Sequence, residues 1–249
     1  MGGKATRESR ARDRIRAQRE ADRKRHERRR IVTYALAAVV AVAAVAGGWL
    51  YAANQSQSET ASGKVAPVTL QPDGSVVMAQ PGVEKPVLDI YEDFQCPACK
   101  ALEETSGTTV KNLAAEGQVK VVFHPITIFS AEPTKSNSVR AGAAARCVPS
   151  GQWLAYHDKL FAGQPSEAVE GFKLDELVAW GKEVGVTSPD FDKCVTSQEH
   201  AALQGDYTAK VLKQGVVRGT PTVILNGKEL GDEAFSPSQL RKAVLDASK

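Results

Sequence analysis

The longest uncharged hydrophobic stretch of the chain runs from Ile31 to Ala53. A helix over this stretch covers roughly 34 Å, enough to cross the hydrocarbon core of a bilayer. Trp49 and Tyr51 lie near its end and Tyr34 near its start, where aromatic rings favour the membrane interface. We therefore predict a transmembrane helix over 31–53. The alternative is a cleaved signal peptide, but this apolar run exceeds the usual length of about 7–15 residues.

The segments on either side of this stretch are polar. Residues 1–30 carry 13 Lys/Arg and 5 Asp/Glu, so their net charge of +8 leaves −5 for the remainder of a chain with net charge +3. The positive-inside rule puts this basic arm in the cytoplasm and everything after residue 54 outside it. Nucleic-acid binding is a weaker interpretation, because a basic run beside an anchor also serves topology and anionic lipid. Residues 54–64 are polar and Ser-rich, which predicts a flexible linker.

From residue 65 onward the pattern predicts strands and helices in α/β order. "VAPVTLQPDGSVVMAQPG" predicts a hairpin that turns at Asp73-Gly74. "KPVLDIYEDF" is typical of a buried strand, a helix follows from Pro97 to about Gly117, and "QVKVVFHP" is the next strand. This strand–helix–strand order predicts a βαβ unit.

The second half of the domain is predicted to be mostly helical. Helical patterns fill about 131–214, and "TPTVILNGKEL" then predicts two short strands around an Asn226-Gly227 turn. A final helix is expected from Pro237, with Ser236 as its cap. The chain is 42% hydrophobic and 24% charged, which indicates a packed core rather than disorder.

The candidate chemistry lies in "DFQCPACK", which contains Cys96 and Cys99. A C-x-x-C motif after a strand and at the start of a helix, in a βαβ setting, is typical of a redox pair. The helix N-terminus stabilises a thiolate at Cys96, which makes it the nucleophile. Cys99 lies one turn further on the same face and is expected to resolve mixed disulfides.

The pair has two alternative interpretations, a zinc site and a structural bridge. Structural zinc needs four ligands, commonly from two C-x-x-C pairs, whereas Cys147 and Cys194 are isolated single residues. We therefore predict no metal site and no cofactor. A purely structural Cys96–Cys99 bridge would stabilise weakly, because so short a loop removes little chain entropy.

"YEDFQCPAC" together with "GTPTVILNG" resembles the DsbA/DsbG-like branch of the thioredoxin superfamily, and more narrowly membrane-anchored bacterial DsbA-like proteins. The resemblance runs from about Pro86 to the C-terminus. It implies an α/β thioredoxin fold with an inserted helical domain. It also implies a cis Thr220–Pro221 bond in the Gly219-Thr220-Pro221 loop, which would pack on the sulfurs and bind substrate through the backbone of Thr220. From the residues alone this loop is only a turn before a strand, since most X-Pro bonds are trans.

The sequence departs from the family pattern at two places. Many relatives carry a buried acid six residues before the first cysteine, and here that position is Ile90. Asp89 points to the opposite face of the strand and Glu92 to the face of Ile90, so the identity of a proton-shuttling acid stays open. The dipeptide Pro97-Ala98 lacks the His of strongly oxidising relatives, which predicts a milder oxidant.

The remaining cysteines and histidines are interpreted as structural. In an oxidising compartment Cys147 and Cys194 are expected to form a disulfide, as in some relatives, with two buried free thiols as the alternative. His124, His157 and His200 are scattered along the chain and are not expected to form a site.

Together these observations predict a membrane-tethered, extracytoplasmic thiol-disulfide oxidoreductase. Exported reduced or unfolded proteins would be its substrates, and the resemblance implies a DsbB- or VKOR-type membrane partner that reoxidises it. We expect a monomer that binds no nucleic acid, with its anchor in the cytoplasmic membrane. The alternatives are a reductase or isomerase, for example in cytochrome c maturation, and a non-catalytic binding or chaperone module.

Overall fold

The computed structural model describes residues 65–249, and the predicted arm, anchor and linker at 1–30, 31–53 and 54–64 lie outside the described residues. The strands are β1 (Val68–Leu70), β2 (Val76–Met78), β3 (Val87–Glu92), β4 (Lys120–Pro125), β5 (Thr222–Leu225) and β6 (Lys228–Leu230). The helices are α1 (Pro97–Ala115), α2 (Thr134–Ala145), α3 (Ser150–Ala162), α4 (Leu174–Glu183), α5 (Phe191–Thr196), α6 (Ala201–Lys213) and α7 (Pro237–Ala247).

The six strands form one mixed sheet in the order β1-β2-β4-β3-β5-β6. β3 and β4 are parallel, and every other neighbouring pair is antiparallel. The parallel pair with its crossover helix α1 is the predicted βαβ unit. Both predicted hairpins are present, and their turns use Gly74 and Gly227 at positive φ, a conformation that glycine adopts without steric cost.

The central strand β3 has hydrophobic residues on one face and a more polar set on the other. Leu88 and Ile90 point into the main core, whereas Asp89 and Tyr91 point to the opposite face. Because β3 and β4 run parallel, both strands end at the same edge of the sheet, and the chain leaves β3 at that edge to begin α1. This geometry places the cysteine motif at the edge of the sheet.

The five helices α2 to α6 stand between β4 and β5, where the helical pattern predicted them. Their aromatic and aliphatic side chains join those of α1 and of the sheet in one large core. Tyr156, Leu160 and Phe161 of α3 are among its most deeply buried members, so α3 packs directly behind the βαβ unit.

One sequence expectation is refined by the described structure. Ser236 occupies the N-cap position of α7, but its side chain makes no capping hydrogen bond. Over residues 65–249, no helix combines the length and apolarity needed to cross a membrane.

Candidate active site

Cys96 lies at the N-cap of α1. Its backbone is extended (φ −79°, ψ 119°), and Pro97 occupies the first helical position, where a missing N–H costs nothing. The Cys96 carbonyl accepts hydrogen bonds from the backbone N–H groups of Cys99 (3.1 Å) and Lys100 (3.2 Å). Both cysteines are free thiols, and Pro97 and Ala98 between them are exposed. The motif therefore presents its dipeptide to solvent and keeps its sulfurs close to the helix N-terminus.

The two thiols differ sharply in acidity. A hydrogen bond from the Cys99 thiol lowers the pKa of Cys96 to about 6, and the Thr220 side chain adds to this effect although burial opposes it. Burial raises the pKa of Cys99 far above its ordinary value, and its hydrogen bond to Cys96 raises it further. At neutral pH the thiolate is therefore on Cys96, which suits this sulfur to nucleophilic exchange.

The loop before β5 completes the site. The Thr220–Pro221 peptide bond is cis, and the Cys96 Sγ lies 3.2 Å from the Thr220 carbonyl oxygen, to which it donates when it is protonated. Gly219 accepts a hydrogen bond from the Thr222 hydroxyl at 2.8 Å, which braces the loop. The structure thus brings together the two segments, 124 residues apart, that the sequence analysis singled out.

A buried carboxylate supports the turn into α1. Asp93 is fully buried and accepts hydrogen bonds from the backbone N–H groups of Gln95 (2.9 Å) and Ile128 (2.8 Å) and from the Ser138 hydroxyl (2.6 Å). Burial raises its pKa to about 6, although these three bonds oppose the shift. Asp93 ties the turn to the loop after β4 and to α2, a role that sequence analysis missed because all but one of its partners are distant in sequence.

Two glutamine side chains tie the same turn to the loop after α3. Gln164 Nε2 donates to the carbonyl oxygens of Phe94 (2.8 Å) and Cys96 (3.0 Å). In the reverse direction, Gln95 Nε2 donates to the Pro165 carbonyl oxygen at 3.1 Å. The inserted helices therefore hold the cysteine motif directly, and no sequence signal indicated these bonds.

The structure distinguishes the two candidate acids of β3. Glu92 and Cys99 line one small cavity, and the charge of Glu92 contributes to the raised pKa of Cys99. Asp89 points to the other face, where its Oδ1 lies 2.9 Å from His124 Nε2. Glu92 is therefore the acid beside the buried thiol, and Asp89 is not.

Glu92 pairs with His157. The sequence analysis had expected the histidines to form no site. Glu92 Oε1 lies 2.8 Å from His157 Nε2, and His157 Nδ1 lies 3.2 Å from Asp158 Oδ1. Burial lowers the pKa of His157, but the Glu92 charge and the bonds to Asp158 and Glu92 outweigh it and raise the pKa to about 10. A buried imidazolium–carboxylate pair thus stands behind Cys99.

The second pair of cysteines lies outside this site. Cys147, just after α2, and Cys194 of α5 form a disulfide with an S–S bond of 2.03 Å. The bond joins two of the inserted helical elements and leaves Cys96 and Cys99 as the free thiols of the described chain.

Two groups of metal-ligating residues occur within residues 65–249. They are Cys147, Cys194 and His200, and Glu103, His157 and Asp158. In the first group the two sulfurs are bonded to each other. In the second, the Lys111 ammonium lies 2.5 Å from Glu103 and 2.7 Å from Asp158, so both carboxylates are already paired with a positive charge. Neither group offers a free set of donor atoms.

The fold and the site together define a protein with a Cys-x-x-Cys pair at a helix N-terminus facing a cis-proline loop. A family model described as thioredoxin matches residues 84–246, so the chain belongs to the thioredoxin family.

Solved structures narrow the class. Oxidised DsbA from Mycobacterium tuberculosis is 29% identical, with 74% of this chain and 92% of that chain covered and a TM-score of 0.59. Reduced DsbG from the same organism is 31% identical, with 68% of this chain and 82% of that chain covered and a TM-score of 0.59. MdbA from Corynebacterium diphtheriae shares the fold at 20% identity. The match covers 75% of this chain and 98% of that chain, with a TM-score of 0.61. The comparison with curated proteins gives no match. Within its family, the chain is a DsbA-like thiol-disulfide oxidoreductase.

Proposed function

We propose that the chain is a membrane-tethered oxidoreductase that introduces disulfides into exported proteins through Cys96 and Cys99. The main support is the asymmetry of the two thiols, since the pKa of Cys96 is lowered to about 6. A stabilised thiolate stabilises the reduced form, and an enzyme with a stable reduced form is an oxidant.

The proposed reaction has two exchange steps. A substrate thiolate attacks Cys96 Sγ in the Cys96–Cys99 disulfide, so that a mixed disulfide forms and the Cys99 sulfur leaves with the electron pair. A second substrate thiolate then attacks the substrate sulfur and releases oxidised substrate and the Cys96 thiolate. The Thr220 carbonyl, 3.2 Å from Cys96 Sγ, would lie beside the bound substrate backbone, with Pro221 forming the adjacent wall.

The oxidising strength is expected to be moderate. A Cys96 pKa of about 6 lies between those of the nucleophilic cysteines of thioredoxin, ~7, and DsbA, ~3.5. The exposed Pro97-Ala98 dipeptide carries no His to stabilise the thiolate further. A potential below the roughly −120 mV of DsbA therefore follows.

The cellular setting is proposed from the sequence and from one structural feature. Residues 31–53 would anchor the domain in the cytoplasmic membrane, with arm 1–30 inside and linker 54–64 outside. The Cys147–Cys194 disulfide supports an oxidising compartment, where such bonds persist. A quinone-coupled membrane protein of DsbB or VKOR type would reoxidise the monomeric enzyme, and exported reduced proteins would be its substrates.

Two measurements test the direction of electron flow. The potential of the Cys96–Cys99 pair is expected to lie above the roughly −270 mV of thioredoxin. In cells, Cys99→Ala would trap reduced exported proteins as mixed disulfides with Cys96. A potential at or below that of thioredoxin, together with trapping of a transmembrane reductase, would support a reductase instead. Unchanged biological activity of Cys96→Ser would support a non-catalytic binding module.

A further inference from the structure

A larger cavity lies beside the β1–β2 hairpin, and we call it the hairpin cavity. Its volume is about 190 Å³, which exceeds the roughly 150 Å³ of an engineered cavity that binds benzene. The hairpin forms one side of it, and residues of α2, α3 and α6 form the others. None of the residues that line it belongs to the cysteine motif or to the cis-proline loop. The proposed thiol-disulfide exchange gives this cavity no role.

Most of the wall of the hairpin cavity is apolar. Leu70 and Leu203 are 38% and 55% exposed, so the cavity reaches the molecular surface beside them. Val76 and Trp153 are buried and form its inner side. The apolar wall includes Leu70, Pro72, Val76, Pro125, Trp153 and Leu203. An opening at the surface and an apolar interior are typical of sites for small molecules.

Arg146 brings a permanent positive charge to this wall. Its Nε donates to Gln204 Oε1 at 2.6 Å, and its Cζ lies 5.3 Å from the centroid of the Tyr207 ring. The turn residue Gly74 leaves space for the guanidinium, since a Cβ there would lie 2.0 Å from Nη1. A hydrogen bond and a cation–π contact therefore hold the guanidinium in place.

The charge of Arg146 is not neutralised by a neighbour. Within residues 65–249 no carboxylate lies within ion-pair distance of the guanidinium, and its Nη2 is buried without a hydrogen-bond partner. Asp73 attracts it only from a distance and bonds instead to the backbone N–H and the hydroxyl of Ser75, at 3.0 and 2.8 Å. Burial lowers the pKa of Arg146, which reflects the cost of desolvating its charge. Buried charges in proteins are normally paired, so this cation lacks a counter-charge.

Gln204 fixes the guanidinium and has no free group left for a ligand. Its Oε1 accepts from Arg146, and its Nε2 donates to the Pro125 carbonyl oxygen at 2.8 Å. The side chain is buried, and both ends of its amide are used. Gln204 is therefore a positioning residue, and the counter-charge has to come from a molecule in the cavity.

We propose that the hairpin cavity binds a small organic carboxylate that carries one apolar group. The carboxylate lies beside the Arg146 guanidinium and supplies its missing counter-charge. The apolar group fills the space in front of Trp153. A single aromatic ring on a short alkyl chain matches the volume of the cavity.

The mixed wall distinguishes this class of ligand from two others. An inorganic anion would pair with the guanidinium but leave the apolar wall in contact with water, which forgoes the hydrophobic part of the binding energy. A neutral apolar molecule would cover the wall but leave the cation unpaired. A ligand with both parts satisfies both parts of the cavity.

An NMR titration of the full chain with 3-phenylpropionate tests the site. We expect saturable binding with a dissociation constant on the order of 1 mM, as is usual for a ligand of this size. The indole N–H signal of Trp153 should shift, whereas that of Trp180, which does not line the cavity, should stay in place. A shift of Trp180 without a shift of Trp153 would place the ligand elsewhere and overturn the proposal.

Two matched probes separate the charge from the ring. Acetate keeps the carboxylate, and 3-phenylpropanamide keeps the ring but replaces the carboxylate by a neutral amide. Each should bind at least about 10-fold more weakly than 3-phenylpropionate. Equal affinity for the amide would reduce the site to an apolar pocket, and equal affinity for acetate would reduce it to an exposed cation. Either result would contradict the proposal.

Two variants test the wall itself. Arg146→Gln removes the counter-charge and should weaken binding of 3-phenylpropionate about 10-fold or more. Because Arg146 also packs on Tyr207, a second variant leaves that contact intact. Leu203→Glu places a negative charge beside the opening and should weaken binding about 5-fold by repelling the carboxylate.

Leu212→Glu is the matched control for the second variant. Leu212 also belongs to α6 and is 41% exposed, but it does not line the hairpin cavity. Its substitution should leave the dissociation constant within about 2-fold of the original value, because a charge further away on an exposed helix is screened. Equal losses in the two glutamate variants, or unchanged binding in both Arg146→Gln and Leu203→Glu, would show that this cavity is not the site.

Discussion

The two faces of the central sheet carry the same pair of groups in different settings. On one face Glu92 and His157 are 2.8 Å apart, and on the other Asp89 and His124 are 2.9 Å apart. The side chains of the first pair are 5% and 0% exposed, and those of the second are 26% and 13% exposed. Hydrogen-bond geometry therefore does not distinguish the pairs, whereas burial does.

Their neighbours differ as much as their burial. Glu92 shares a cavity with Cys99. His124 instead contacts the Tyr207 hydroxyl at 2.6 Å and stacks on Tyr91 at a centroid distance of 4.2 Å, so it joins α6 to the sheet. Similar hydrogen-bond geometry therefore does not give the two pairs the same surroundings. The first pair lies beside the buried Cys99 thiol, and the second joins a helix to the sheet.

The largest expected difference between the pairs is in stability. His157→Leu leaves the Glu92 carboxylate buried without its partner, and we expect it to lower the free energy of unfolding by about 3–5 kcal/mol. His124→Leu should cost only about 1 kcal/mol, because the partly exposed Asp89 can rehydrate. Urea denaturation of the two variants measures both losses, and equal losses would remove the distinction between the faces.

The sequence could predict those features of the fold and the site that depend on residues close together in the chain. The alternation along β3 placed Asp89 and Glu92 on opposite faces, since successive strand residues point in opposite directions. The turn glycines, the Pro97 helix start and the hairpins depend on adjacent residues, and the sequence predicted them for the same reason. Local pattern therefore determined the elements and the position of the cysteines.

The partners of these side chains could not be predicted in the same way. His157 follows Glu92 by 65 residues and Gln164 follows Cys96 by 68, so both contacts depend on how α3 packs on the sheet. His157 is one of the buried residues of α3, together with Tyr156, Leu160 and Phe161, so its position on the helix gives no local sign of a charged partner. A buried histidine on an apolar helix face, in a chain with an acid near its cysteine motif, was the available signal.

The second prediction concerns pH. Because the folded-state pKa of His157, about 10, lies above its ordinary value of 6.5, its stabilisation is fully present below about pH 6.5 and is lost as the pH rises through about 10. The stability difference between the unmodified chain and His157→Gln should therefore shrink by up to about 1.4 kcal/mol for each pH unit within this window. Urea midpoints at several pH values measure it, and a constant difference would show that the pair is not ionised in the folded state.

The third prediction tests the opposite face. Tyr207→Phe removes the hydroxyl that contacts His124 at 2.6 Å and should cost about 1 kcal/mol. The reactivity of Cys96 should not change, because this contact lies across the sheet from the cavity behind Cys99. Iodoacetamide alkylation rates before and after the substitution provide the check. A slower or faster Cys96 would mean that the two faces are coupled.

The smallest expected effect comes from Thr220, at the edge where the thiols meet the cis-proline loop. Its buried hydroxyl contributes to the lowered pKa of Cys96, so Thr220→Val should raise that pKa from about 6 by less than about one unit. Thiolate absorbance near 240 nm, followed against pH, measures the shift. Thr222→Val is the matched control, because that hydroxyl donates to Gly219 and does not face the sulfur. If both variants shifted the pKa equally, the cause would be loop geometry, whereas a shift in Thr220→Val alone would assign a local hydrogen-bond donor to Cys96.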